Sequence, residues 1–175
     1  SGYHYSDDEI YGFSHTHLSG TGVSDYGDIL LMPTNQATLN NGASVGKGYK
    51  SKFSHKNEVA QPGYYKVHLE DTHIDVELTV SKRSGIHKYE YPSSKDQVLI
   101  LDLEHRDQLY GFNISIVNDR EVKGFRHSKA WATNQFLFYH IKFSHPIKDP
   151  DRLYEVLPTK VSFEFINPNN EPVYV

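Results

Sequence analysis

The sequence predicts an all-β chain, an antiparallel β-sandwich with no significant helix. Thirteen Tyr and nine Phe stand against one Trp and one Met, a balance that favours strands over helices. Short runs of alternating apolar and polar residues recur with Gly, Pro, Asn and Asp turn signals between them. No stretch repeats apolar residues at the helical period. At 175 residues the chain reads as one domain, 1–175, large enough to bury a core without staples.

Taken in order, Ser1 to Phe13 reads as two short strands around a turn at Asp7-Asp8-Glu9. Gly12 to Pro33 (GFSHTHLSGTGVSDYGDILLMP) is a polar, glycine-rich loop closing on a strand from Asp28 to Met32. Pro33 to Asn57 has no period and reads as a long loop, mobile in part. Strands follow at Tyr64 to Leu69 and His73 to Ser81, joined by a turn at Glu70-Asp71-Thr72, and then at His87 to Tyr91. Ile74, Val76, Leu78 and Val80 share one face of the second of these, so the sheet has a core side and a polar side.

Val98 to Leu103 is nearly all apolar, as in a strand buried on both faces. Leu109 to Val117 and Glu121 to Arg126 form a hairpin around Asn118-Asp119-Arg120, and Gln135 to Phe143 is apolar on both faces. His127 to Asn134 holds Trp131, which a sandwich more often keeps in its core. Lys160 to Ile166 and Val173 to Val175 close the set, and both termini look cut within strand-like sequence.

Charge narrows the function. A net charge of −4 with scattered Lys and Arg leaves no basic footprint for nucleic acid. No apolar run reaches the roughly 20 residues of a membrane-spanning helix. The absence of cysteine excludes disulfides and leaves the compartment open.

The loop from Gly12 to Pro33 holds the densest set of site-forming groups: His15, His17, Ser19, Thr21, Asp25 and Asp28 among Gly20, Gly22 and Gly27. His15 and His17 stand two apart, so on an extended arm they point the same way, as two metal ligands would. No third or fourth ligand has a matching spacing, and no metal site is assigned. Asp25 and Asp28 could act as an acid and a base, but paired carboxylates must face each other across a substrate and usually come from separate elements. Asp28 is read as accepting backbone N–H groups at the loop base; Asp25 stays open. The Gly-x-Ser-x-Gly elbow of a serine nucleophile is absent. Asp7-Asp8-Glu9, Lys82-Arg83 and His105-Arg106 read as surface charge, while Trp131 and exposed tyrosines offer sugar-stacking platforms.

Four blocks carry a resemblance: SGYHYSDDEIYGFSHTHLSGTGVSDYGDILLMP, FSHKNEVAQPGYYKV, ELTVSKRSGIHKYEYP and GFRHSKAWATNQFLFYHIKFSHP. In order and content they resemble the N-terminal domain of the glycoside hydrolase family 92 α-mannosidases. The resemblance implies an exo-acting, calcium-dependent, inverting enzyme whose β-sandwich packs on a larger (α/α)6 barrel, with the active site between them. Inversion needs an acid and a base about 6.5–9.5 Å apart. In that family these carboxylates and the calcium ligands belong to the barrel, absent from these 175 residues. The fragment is therefore expected to hold no cofactor of its own and to be inactive alone. Strands normally precede and follow this stretch in the family, in keeping with the cut look of both ends.

On this reading His15, His17, Ser19 and Asp25 contact the α-mannoside, and Gly20, Gly22 and Asp28 shape the loop. The partners are α-mannoside glycans and the barrel, and the location is extracytoplasmic, implied by the resemblance alone. A free-standing carbohydrate-binding module is the alternative.

Overall fold

A computed structural model describes residues 4–17, 26–44, 46–153 and 158–175. Its strands are β1 (Glu9–Ile10), β2 (Leu30–Thr34), β3 (Ser51–Lys52), β4 (Glu58–Gln61), β5 (Tyr64–Leu69), β6 (Ile74–Val80) and β7 (Gly85–Glu90). The series continues with β8 (Val98–Asp102), β9 (Gln108–Asn118), β10 (Glu121–Lys129), β11 (Gln135–Lys142), β12 (Lys160–Glu164) and β13 (Val173–Tyr174). Among the described residues helix is limited to two 3-10 turns, His55–Asn57 and Pro150–Leu153, so the all-β sandwich stands. Among the described residues no helix is long and apolar enough to cross a membrane.

Pairing is antiparallel throughout, in sheets ordered β13-β7-β6-β5-β4, β11-β10-β9 and β12-β8-β2, with a small β1-β3 ladder. The β12-β8-β2 sheet is the centre of the core. Val98 to Leu101 of β8 are at most 2% exposed, which is why that strand reads as continuous apolar sequence rather than alternation. Inward residues of the other two sheets, among them Val67, Val76, Tyr89, Ile114 and Ile141, join it in one apolar cluster.

Several sequence expectations need correction. Near the N-terminus the turn lies at Tyr5-Ser6, closed by the Asp7 amide on the His4 carbonyl (3.0 Å), and the acidic run leads straight into β1. The Pro33 to Asn57 segment is anchored. Pro33 and Thr34 belong to β2, β3 pairs with β1, and Tyr49 is buried with its hydroxyl 2.5 Å from Asp102 Oδ2. Burial first, then that carboxylate, raises the Tyr49 pKa and keeps it a donor.

β11 is not apolar-buried on both faces: Gln135 and Ile141 point inward, while Phe136 and Phe138 are 51% and 75% exposed. Trp131, expected in the core, sits in the β10–β11 connection and is 61% exposed. A register shift between His127 and Ser128 leaves Tyr110 without an opposite residue, so it leaves the alternation of β9 and is exposed.

Candidate functional site

The two arms of the glycine-rich loop lie against each other. Phe13 pairs with Leu31 through amide–carbonyl bonds of 2.8 and 2.9 Å, and His17 bridges to Tyr26. Between these rungs the Gly27 amide donates to the Thr16 carbonyl and the Asp28 amide to Thr16 Oγ1 (3.1 Å). The result is a closed neck. Ser19, Gly20, Gly22 and Asp25, assigned from sequence to its tip, lie outside the described residues. Tyr26 (φ 61°) and Gly27 (φ 77°) turn the chain in the left-handed region. At Gly27 a Cβ would also lie 3.3 Å from both His17 and Arg106, so glycine lets those side chains close over the backbone.

Asp28 anchors this neck, but not through backbone N–H groups as its sequence suggested. It is fully buried, and its carboxylate accepts from Arg126 Nη1 (2.9 Å), from Gln135 Nε2 (2.7 Å to each oxygen) and from Ser128 Oγ (3.4 Å). Arg126, also fully buried, donates its Nε to the Leu103 carbonyl (2.7 Å) and Nη2 to the Arg106 carbonyl. One guanidinium therefore ties together the loop base, the segment after β8 and the inner face of β10. A buried ion is tolerated only when its hydrogen-bonding capacity is met in this way.

Above the neck opens a cavity of about 520 Å³. Its floor is apolar, with Phe13, Leu30, Phe53 and Tyr65, and its polar side carries Ser14, His17, His105 and Arg106. His17 Nε2 donates to the Ser14 carbonyl (2.8 Å), which leaves Nδ1 as the acceptor. Desolvation lowers the His17 pKa, partly offset by that bond, so the ring is neutral near pH 7. Ser14 Oγ is buried with no hydrogen-bond partner among the described residues, and is thus a donor available to a ligand.

His105 and Arg106 are not ordinary surface charge. His105 reaches the Gly27 carbonyl with Nε2 (2.6 Å) and the Asp102 carbonyl with Nδ1 (3.0 Å), and burial lowers its pKa. Arg106 is held by Asp107 (3.0 Å), itself in left-handed backbone at φ 62°.

His15 and His17 do not point the same way. His17 turns to the cavity, whereas His15 leans over β7, with its Nε2 2.5 Å from Nε2 of His87. His87 Nδ1 is in turn 2.5 Å from the Tyr89 hydroxyl. Burial, then repulsion from His15, pushes the His87 pKa down to about 3. Among the described residues no group of three or more His, Cys, Asp or Glu could hold a metal ion.

Room for His15 comes from Gly85, where a Cβ would fall 2.4 Å from the imidazole. Gly85→Ala is accordingly expected to cost about 1–3 kcal/mol in urea unfolding through overpacking. Adding His15→Ala should recover most of that loss; an undiminished loss in the double variant would break this account.

On the outer face of β9 to β11, beside the anchored end of the loop, lies an aromatic patch. His127 stacks on Phe136 at 3.9 Å and Tyr110 leans on His127 at 5.4 Å, with Phe138 exposed beyond them. Sequence reasoning missed Arg126, Gln135 and His105 as parts of the site. A signal existed for Arg126: it falls in step with Val122 and Ser128 on the core side of an alternating strand, where a charge demands a partner.

A family model described as the glycosyl hydrolase family 92 N-terminal domain matches residues 1–160. Among solved structures, the family GH92 α-mannosidase BT3965 of Bacteroides thetaiotaomicron, in complex with mannoimidazole, is 28% identical with a TM-score of 0.85; the match covers 99% of this chain and 26% of that one. The GH92 family glycosyl hydrolase ccman5 is 25% identical with a TM-score of 0.79, over 99% of this chain and 26% of that one. The inverting mannosidase BT2199 of B. thetaiotaomicron shares the fold at 23% identity and a TM-score of 0.74, over 98% of this chain and 24% of that one. No curated protein matches the chain. The chain thus spans about a quarter of the length of the family GH92 proteins it matches.

Proposed function

Because the chain belongs to the glycosyl hydrolase family 92 N-terminal domain family, we propose that it supplies one wall of the mannose pocket in an exo-acting, calcium-dependent, inverting α-mannosidase. The observation that carries this reading is the neck fixed by Arg126 beside a cavity with an apolar floor and a polar side. A mannoside has the same two characters, an apolar ring face and a rim of hydroxyls. His17 Nδ1 would accept from one hydroxyl, while Ser14 Oγ and Arg106 would donate to others. Ser19 and Asp25 would add their groups from the loop tip, with Gly20 and Gly22 shaping it. His15 is assigned to holding the loop arm on β7 rather than to the sugar.

The chemistry is assigned to a separate (α/α)6 barrel. Asp28 cannot serve as general acid or base, since both oxygens are occupied and shielded from solvent. The same occupancy leaves it unfit as a calcium ligand, and among the described residues no three or more His, Cys, Asp or Glu side chains are grouped to hold a metal ion. On the family resemblance calcium is assigned to the barrel, and this domain's part is to bind and orient. The enzyme would act on mannan or N-glycan mannosides outside the cytoplasm.

In the whole enzyme, His17→Ala and Arg106→Ala are each expected to lower kcat/KM for an α-mannoside about tenfold, as loss of one hydrogen bond of about 1.4 kcal/mol requires. Unchanged kinetics in both would overturn the assignment. The 175-residue chain alone should not release nitrophenol from 4-nitrophenyl α-mannoside. Calcium-independent turnover that is lost on changing His17 or Asp25 would show instead an independent hydrolase.

The exposed aromatic patch favours a second reading, a free-standing carbohydrate-binding module. Calorimetry of the isolated chain with α-mannobiose separates the two: binding heat lost on Phe136→Ala supports the module, and no heat supports the pocket wall.

A further inference from the structure

Between β8 and β9 the chain runs through Leu103 to Asp107, a turn pinned at nearly every residue. The Glu104 amide donates to Asp102 Oδ1 (2.7 Å), His105 bridges the Asp102 and Gly27 carbonyls, and Arg126 takes the carbonyls of Leu103 and Arg106. The turn closes at Asp107, whose φ of 62° lies in the left-handed region. Glycine or asparagine would accept that backbone as readily. What aspartate adds is its charge.

That charge is placed at a cost. The Asp107 side chain is 8% exposed, and its Oδ2 is buried without a hydrogen-bond partner among the described residues. A dry carboxylate oxygen left unpaired lowers stability, and a turn alone gives no reason to bear it. The other oxygen, Oδ1, accepts from Arg106 Nε at 3.0 Å. Neighbours in an extended chain point to opposite sides and do not meet; the left-handed turn at Asp107 folds its carboxylate back onto the residue before it. Backbone conformation and charge thus serve one contact.

Arg106 is the side chain on which that contact acts. It lines the cavity above the neck, and its Nη1 lies 3.3 Å from where a Cβ on Gly27 would stand, beside His17. With Nε engaged by Asp107, the planar guanidinium keeps Nη1 and Nη2 for a ligand, a fork that spans two adjacent hydroxyls of one sugar ring. A free arginine loses rotamer freedom each time it grips a ligand, and the ion pair removes most of that freedom beforehand.

We propose, on the reading of this cavity as one wall of a mannose pocket, that Asp107 is a positioning residue: it holds Arg106 so that Nη1 and Nη2 fork onto two adjacent hydroxyls of the bound mannoside. Asp107 is not among the cavity's lining residues, so it acts on the sugar only through its neighbour.

Asp107→Gly removes the carboxylate and suits the backbone, so the 175-residue chain should keep its Tm. In that variant the Arg106 Nε–H, followed by NMR, should exchange with water at least ~10-fold faster than in the parent. In the whole enzyme the same change should raise KM for an α-mannoside about fivefold with kcat little altered, because hydroxyls remote from the reacting bond are gripped equally before and during reaction. Asp107→Asn, which keeps the turn and an oxygen for Nε, should recover most of this loss. In an Arg106→Ala background Asp107→Gly should change KM no further. A parent Nε–H as labile as the variant's overturns the proposal, since Asp107 then holds nothing. So does a KM unmoved by Asp107→Gly where Arg106→Ala raises it, or an equal effect of Asp107→Gly with and without Arg106, which would make Asp107 structural only. Unchanged kinetics in Arg106→Ala itself would bring down the mannose-pocket reading, and the sugar-binding role of Asp107 with it, whatever the Nε–H shows of the ion pair.

Discussion

Replacing Arg126 with methionine is expected to destabilise the domain by about 3–5 kcal/mol, the cost of leaving a buried carboxylate without its counter-charge. Arg126 and Asp28 are both fully buried, so neither can recover its hydration when the other is removed. Two carbonyls, those of Leu103 and Arg106, lose their donors in the same step. Among the described residues only Gln135 and the more distant Ser128 hydroxyl (3.4 Å) would remain on Asp28, and neutral donors cannot offset a full charge in a dry site. Asp28→Asn should be costly in the complementary sense, stranding the guanidinium. The double replacement Asp28→Leu with Arg126→Met should cost clearly less than the sum of the single changes, because no buried charge is left. Urea unfolding of the four chains measures this as a double-mutant cycle. A loss under about 1 kcal/mol for Arg126→Met would mean that water reaches the pair, and the neck would then not be the rigid wall that sugar orientation requires.

The strands were legible in the sequence because their physics is local. β5 runs from Tyr64 to Leu69 as the turn signals on both sides of it predict, and the continuous apolar run of β8 announces burial on both faces. Family membership was equally legible from the long block at the N-terminus, and a family model matching residues 1–160 bears it out. The site was less so, because its partners are distant in the chain. Asp28 is bound by residues 98 and 107 positions later, a pairing that no spacing rule contains. His15 and His17 misled for a related reason. An arm that alternates sides only if fully extended was instead drawn to β7 at one residue and to the cavity at the other. Trp131 and Phe138 lie exposed on a sheet face and its connection, where local alternation cannot reveal what a larger assembly would cover.

Acidification from pH 7 to pH 5 should remove about 2 kcal/mol of stability through His87 alone, at about 1.4 kcal/mol per pH unit below its unfolded value of about 6.5. The hydrogen bonds explain the resistance to protonation. Tyr89 is fully buried, its pKa raised by that burial, and its hydroxyl has no other partner among the described residues, so its proton goes to His87 Nδ1. His87 then carries its own proton on Nε2 and donates to His15 Nε2. A second proton on His87 would have to enter at Nδ1, against the Tyr89 proton and in a site only 3% exposed.

The folded pKa of about 3 lies below the unfolded one. The contribution is therefore complete above pH 6.5 and is lost as the pH falls towards 3. His15 and His105, also lowered by burial, act in the same sense. His55, raised by Glu58, acts in the opposite one, its contribution present below pH 6.5 and lost as the pH rises through its folded value. His87→Gln keeps a side chain that can accept from Tyr89 and donate to His15 but cannot titrate. Its stability should therefore fall less than that of the parent between pH 7 and 5, by about 2 kcal/mol, whatever its stability at neutral pH. Parallel pH profiles for the two chains in chemical unfolding would show that His87 is protonated in the folded state after all, and that the buried contact with His15 rearranges to admit the charge.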